Sequence, residues 1–144
     1  MVSQFGLVSV AHVFLVRDAK VLLMRRCNTG HEDGRYGPPG GKLDGGEEVK
    51  MAAIREVREE CGVVIQPDDL EMTGVMHIKA ANERVDFFFI TERWVGEIRN
   101  AEPNKCDHMC WFSMDDLPDN LIPFIGQALK DHKDGRWFSS YGWN

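Results

Sequence analysis

The sequence predicts an α/β layered domain. Three observations carry this reading. Apolar, strand-like segments occur at 9–16, 21–26, 71–79 and 84–94, helical spacing occurs at 46–61 and 121–134, and a Gly- and Pro-bearing loop separates the first two strands from the first helix.

Residues 9–16 alternate loosely, as a strand does, and Arg17-Asp18-Ala19-Lys20 reads as a turn. The second strand is apolar from Val21 to Met24 and ends on Arg25 and Arg26. Residues 27–37 are polar and read as loop. Pro38, Pro39, Gly40 and Gly41 follow, and a helix cannot form across them. The first helix is expected from about Gly46 to Cys61, with Val49, Ala52, Ala53, Val57 and Cys61 as its apolar stripe and Gly62 as its stop. Residues 71–79 and 84–94 read as strands, with Val85, Phe87 and Phe89 on one face of the latter. Residues 110–112 read as a short strand. The second helix is expected over 121–134, with Pro123 in its first turn and Gly135 past its end. Ile122, Ile125, Ala128 and Leu129 form its buried stripe. Trp137, Phe138, Tyr141 and Trp143 crowd the tail. Rings of that size bury large areas, so the tail is expected to fold back on its own core, ahead of a dimer contact or a wall of a base pocket.

The 144 residues are expected to form a single domain, and 43% apolar with 28% charged residues is a soluble globular composition. No apolar run reaches the roughly 20 residues of a membrane span. The start, Met1-Val2-Ser3-Gln4, lacks the charged opening of a secretory signal, so a cytoplasmic address is expected. A net charge of -6 argues against coating a nucleic-acid polymer, but not against a small anionic substrate held through a metal. Cys106 and Cys110 flank His108, yet Cys27, Cys61, Cys106 and Cys110 lack the paired spacing of a zinc site and read as reduced thiols. His12, His31, His77, His108 and His132 show no metal spacing either.

One stretch carries chemistry: Gly41, five residues, Glu47, seven residues, then Arg55-Glu56-Val57-Arg58-Glu59-Glu60-Cys61-Gly62-Val63. Its seven fixed positions would coincide by accident on the order of once in 10⁸ starts, at about one in fifteen each. Glu56, Glu59 and Glu60 stand at i, i+3 and i+4, so a helix crowds three carboxylates on one face. Such a cluster repels itself unless a hard divalent cation, which takes oxygen ligands, neutralises it. The apolar stripe lies on a different side of the same helix.

Residues 41–63 resemble the Nudix box at every fixed position, Val57 and Val63 included, over 23 of the 144 residues. The resemblance implies an α/β/α sandwich with a central mixed sheet and two main helices. It also implies hydrolysis of nucleoside diphosphates linked to another group, with Mg²⁺ or Mn²⁺. By resemblance Glu56, Glu59 and Glu60 are catalytic metal ligands, with Glu56 shared between metal and base. Arg55 orients a carboxylate through a bidentate pair. Glu47 either contributes to the site from its edge or serves the positive end of the helix. The Gly40 carbonyl is a candidate metal ligand, as is Glu102 from the loop beyond the box, with Glu97 its rival. Arg26, Gly41 and Lys42 are candidates to meet substrate phosphates; for Arg26 the competing reading is a solvated strand end.

Residues 117–125 resemble the segment before the last helix of MutT-type triphosphatases. Asn120 matches an Asn that reads a purine edge there, and an amide can donate and accept at once. With Asp119 beside it, Asn120 is the substrate-binding candidate; the alternative is that one of the two caps the second helix. Tyr36 and Pro38 stand where many relatives carry other groups, which points to an altered base pocket. The expected activity is hydrolysis of a nucleoside or deoxynucleoside triphosphate to monophosphate and pyrophosphate, oxidised purine nucleotides among the candidates. The alternatives are an ADP-ribose or nucleotide-sugar pyrophosphatase, and a nucleotide-sensing module without catalysis. Loss of box carboxylates would mark the last, and none is lost. The expected partner is a small-molecule nucleotide, with the chain a monomer or homodimer.

Overall fold

The computed structural model describes residues 4–144, so Met1, Val2 and Ser3 of the N-terminal reading lie outside it. The chain runs β1 (Val8–Arg17), β2 (Lys20–Arg26), β3 (Tyr36–Gly37), β4 (Gly40–Lys42), α1 (Val49–Cys61), a 3-10 turn (Pro67–Asp69), β5 (Glu71–Lys79), β6 (Glu83–Thr91), β7 (Cys106–Ser113), α2 (Pro123–Lys133) and β8 (Phe138–Tyr141). The strands form one mixed sheet. β1 is its hub: it pairs in parallel with β6, and antiparallel with β2 at one end and β4 at the other. β5 continues the sheet antiparallel to β6, and β8 closes it in parallel beside β5. β2 also carries β3 and β7.

β1 is buried continuously from Val13 to Val16, the mark of a strand covered on both faces. Ala11, Val13 and Leu15 join Leu22 and Phe89 on the face packed by Ala53, Val57 and Cys61 of α1. Phe14, Val16 and Phe88 lie on the other face, packed by Ile125, Ala128 and Leu129 of α2. The result is an α/β/α sandwich. Each fully buried Leu, Val or Phe side chain contributes on the order of 1.5–3 kcal/mol to it. Among the described residues no helix is long and apolar enough to cross a membrane.

Several boundaries differ from expectation for local reasons. α1 begins at Val49 because Gly45 and Gly46 take φ of 86° and 70°, a left-handed turn that precedes the helix. Glu48 is the N-cap, its carboxylate accepting from the Met51 N–H at 3.3 Å, so Glu47 lies outside the helix and does not cap it. Gly62 ends it in the left-handed conformation, φ 73°, donating to the Arg58 carbonyl at 3.0 Å. α2 begins at Pro123 behind Ile122, with no side-chain cap, so neither Asp119 nor Asn120 serves that role. β4, unforeseen in the Gly-Gly step, pairs Gly40, Gly41 and Lys42 with His12, Ala11 and Val10. β7 is longer than expected, and β6 stops at Thr91. The tail folds back as β8. Beyond it Trp143 packs on His77, ring centroids 4.7 Å apart, and its indole N–H donates to the His77 carbonyl at 3.1 Å.

Candidate active site

α1 turns its apolar stripe to the sheet, which leaves Glu56, Glu59 and Glu60 along its flank beside β4. The backbone N–H of Gly40 donates to Glu60 Oε2 at 2.8 Å. A side chain on Gly41 would press within 2.7 Å of both Glu56 carboxylate oxygens, and one on Gly40 would overlap the Ala11 carbonyl. Glycine is therefore required at Gly40 by the close approach of the β1 backbone, while a side chain at Gly41 would displace the Glu56 carboxylate.

Arg55 gathers the carboxylates. Its Nε donates to both oxygens of Glu47 at 3.1 Å. Its Nη1 reaches Glu56 Oε1 at 3.0 Å and both oxygens of Glu59 at 3.3 Å. Nη2 is sealed from solvent without a hydrogen bond, with Asp44 Oδ2 3.7 Å away. Burial alone would lower the Arg55 pKa, but the bonds to Glu47, Glu56 and Glu59 raise it above its ordinary value, so the clamp stays charged.

Glu60 is the strained member. Burial foremost, then the neighbouring Glu56 and Glu102 carboxylates, push its pKa up to about 8 against the Gly40 N–H and Arg26, which oppose the shift. Burial also raises Glu56, with Arg55 opposing and Glu59 and Asp44 adding. Glu102 comes near because its loop straps the end of α1: Arg99 N–H donates to the Cys61 carbonyl and Ala101 N–H to the Glu60 carbonyl, each at 3.0 Å. Glu97 is exposed and lines a separate groove with Arg17 and Trp111, so Glu102 is the acid that the fold brings to Glu60.

The residues fit a hard cation in chemistry. Glu56, Glu59, Glu60 and Glu102 offer carboxylate oxygens, and the Gly40 backbone adjoins Glu60 through its N–H. Glu60 is a partly buried carboxylate beside two others. Among the described residues no three acidic, His or Cys side chains are drawn together as a cage, and Glu56 and Glu59 are both bonded to Arg55.

A family model described as the NUDIX domain matches residues 7–132. The chain belongs to the Nudix family. This Nudix chain is 25% identical over 114 residues to the 8-oxo-dGTP diphosphatase of Escherichia coli (strain K12), covering 77% of this chain and 87% of that one. It is 30% identical over 124 residues to the ADP-ribose pyrophosphatase of Methanocaldococcus jannaschii, covering 84% and 69%. Among solved structures, the MutT NUDIX hydrolase from Burkholderia pseudomallei matches with a TM-score of 0.81 at 30% identity, over 88% of this chain and 98% of that one. It is a Nudix hydrolase, an enzyme of pyrophosphate bonds in small-molecule nucleotides, and such hydrolases generally need a divalent metal.

The Nudix fold places the remaining candidates unevenly. Arg26 is close enough to Glu60 to lower its pKa, while its Nε donates to the His31 carbonyl at 2.8 Å. Lys42 does not join the carboxylates: it follows Gly41 on the pleat, so its side chain leaves β4 on the opposite face. Asn120 Nδ2 donates to the Gly34 carbonyl at 2.9 Å, and the Asn120 backbone carbonyl accepts from Tyr36 N–H at 3.0 Å, which ties this segment to the loop before β3. Asp119 is exposed beside it. Sequence reasoning missed the Tyr36 hydroxyl at 2.6 Å from His108 Nδ1, and the buried contacts of His12 and Arg84 with Asp86. A charged pair inside an apolar strand, Arg84 and Asp86, was the one signal for the latter.

Proposed function

We propose that this Nudix enzyme hydrolyses a nucleoside or deoxynucleoside triphosphate to the monophosphate and pyrophosphate, with oxidised purine nucleotides among its substrates. The observation that carries the reading is the approach of Glu60 and Glu56 to the glycine strand at Gly40 and Gly41, with Glu102 near enough for its charge to act on Glu60. The reading takes residues 1–144 as one domain that acts in the cytoplasm, as a monomer or homodimer; the four unpaired cysteines suit a reducing compartment.

Glu56, Glu59, Glu60 and Glu102, with the Gly40 carbonyl, would hold Mg²⁺ or Mn²⁺. When bound, the ion supplies charge neutralisation at the phosphate oxygens and a more acidic water. The protein does the rest. Glu56 takes the proton of the attacking water, Arg55 and Glu47 keep that carboxylate in place, and Arg26 holds the phosphates. Gly41 leaves room for them. The second reading, an ADP-ribose or nucleotide-sugar pyrophosphatase, is favoured by one observation: Asn120 Nδ2 already donates to the Gly34 carbonyl, which leaves less of its amide for a base.

The test is pyrophosphate and phosphate release with Mg²⁺ or Mn²⁺ from dGTP, 8-oxo-dGTP, dCTP, ADP-ribose and a nucleotide sugar, wild type beside Glu59→Gln. Metal-dependent pyrophosphate from a triphosphate, abolished in the variant, is expected. Turnover confined to ADP-ribose or the sugar moves the second reading to first place. Nucleotide binding without any turnover makes the chain a sensing module.

A further inference from the structure

We propose that Asn100 is a positioning residue of this enzyme: its side-chain amide clasps the turn that presents Glu102 to the divalent ion beside Glu60. The inference rests on the metal reading above, in which Glu102 is a ligand, and goes beyond it by naming what holds that ligand in place.

The turn at 100–106 joins two walls of the site. On one side the Arg99 and Ala101 N–H groups bond the Cys61 and Glu60 carbonyls at the end of α1, each at 3.0 Å. On the other, Cys106 opens β7 opposite Arg26, and the Cys27 N–H donates to the Lys105 carbonyl at 3.0 Å. Half-buried Asn100 ties the two ends together. Its Nδ2 donates to the Cys106 carbonyl at 2.7 Å, and its Oδ1 accepts from the Glu102 N–H at 3.2 Å. The Glu102 carbonyl accepts from the Lys105 and Cys106 N–H groups at 2.9 and 3.1 Å.

Both backbone polar groups of Glu102 are thus fixed, the N–H by Asn100 and the carbonyl by the turn itself. The side chain differs. Its carboxylate makes no hydrogen bond or ion pair among the described residues, and the Ala101 bond to the Glu60 carbonyl keeps it on the Glu60 side of the turn. Its charge acts on Glu60. A free carboxylate on a fixed backbone gives up little further freedom when it takes a cation, which is what preorganisation requires. An amide suits both bonds of the clasp, because it donates and accepts at once and its oxygen reaches the N–H two residues on. Aspartate would keep the Glu102 bond but set a carboxylate against the Cys106 carbonyl. Alanine would lose both bonds. Asn100 touches no carboxylate, so whatever it does for the ion it does through the Glu102 backbone.

The experiment titrates the full chain with Mn²⁺ and reads the free ion by electron paramagnetic resonance, so no substrate or turnover is needed. It compares wild type, Asn100→Ala, Glu102→Gln and the double variant. Asn100→Ala is expected to bind Mn²⁺ about 10–100-fold more weakly. The double variant is expected to bind no more weakly than Glu102→Gln alone, because Asn100 acts through Glu102. A residue that only stabilised the fold would lower the melting temperature without this non-additivity. Should Asn100→Ala fail to fold, Asn100→Ser takes its place in the same cycle; its hydroxyl can accept from the Glu102 N–H but is too short for Cys106. Wild-type affinity in the Asn100 variant, or losses that multiply in the double variant, would overturn the inference and leave the metal reading standing. Full affinity in Glu102→Gln would overturn the inference together with Glu102 as a ligand. The expected cycle without hydrolysis of any triphosphate would support the clasp and sink only the proposed substrate.

Discussion

The Gly40 N–H and the Glu60 carboxylate meet at 2.8 Å across twenty positions of sequence, and this bond fixes how far β4 stands from α1. Gly40→Ala would push a methyl group into the Ala11 carbonyl, a backbone atom that cannot yield, and the strand would have to move. A displacement near 1 Å costs on the order of 100-fold in rate at a site that aligns a nucleophile. Steady-state kinetics of the variant, beside its melting curve, checks this; wild-type kcat/KM would show that the spacing is not critical.

Arg55→Lys tests the clamp. Lysine keeps the charge but cannot hold Glu47, Glu56 and Glu59 through separate fixed nitrogens. A loss of roughly 10–100-fold in metal affinity or activity is expected, as for other groups that orient ligands. Isothermal titration with Mn²⁺ measures it, and an unchanged affinity would assign Arg55 to charge balance alone.

The pH dependence of the metal-free protein follows from Glu60. Its pKa rises on folding from 4.5 to about 8, so the folded state binds the proton more tightly than the unfolded state. The contribution to stability is complete below the ordinary value and is lost as pH rises towards the folded one. Melting temperatures from about pH 5 to about pH 9 are expected to fall in this window, and saturating Mg²⁺ or the Glu60→Gln substitution to flatten the fall. A slope identical in wild type and variant would place the titrating group elsewhere.

How much of this was legible in the sequence depended on which signals are local. α1 was readable because Val49, Ala52, Ala53, Val57 and Cys61 repeat at helical spacing and Gly62 ends them. β4 was not, because Gly40 and Gly41 have no strand propensity; only the partner strand β1 makes them one. Glu47 read equally well as a helix-end charge, and the left-handed pair Gly45 and Gly46 decides otherwise by starting the helix later. Lys42 read as a phosphate contact until the pleat put it on the far face. The Glu56, Glu59 and Glu60 cluster was visible as spacing, whereas the reach of Glu102 depends on the strap that bonds to the Glu60 and Cys61 carbonyls.

The core offers a plain stability test. Phe89 is 1% exposed on the α1 face of β6. Phe89→Ala is expected to cost about 3–5 kcal/mol in chemical denaturation, through lost transfer energy and the cavity left behind. A cost below about 1 kcal/mol would mean that α1 can collapse into the space.

The tail is held by a glycine. Gly142 has φ 83°, and a side chain there would overlap the Lys79 carbonyl. Gly142→Ala is expected to cost about 1 kcal/mol or more and to free Trp143 from His77. A red-shifted tryptophan emission with β8 amides exchanging faster would report the release; unchanged emission would show that Trp143 docks independently of the turn.

The two jobs of α1 are interleaved residue by residue: Ala53 and Val57 face the sheet while Glu56 and Glu60 face β4. Adding or removing one residue inside the helix would rotate everything beyond it by about 100°. That would drive carboxylates into the oily layer and send valine towards the glycine strand β4. The loop at 27–35 carries no such phase relation. Length variation in descendants of this gene can therefore collect in that loop, while α1 acts as a fixed-length gauge, open to letter changes and closed to insertions.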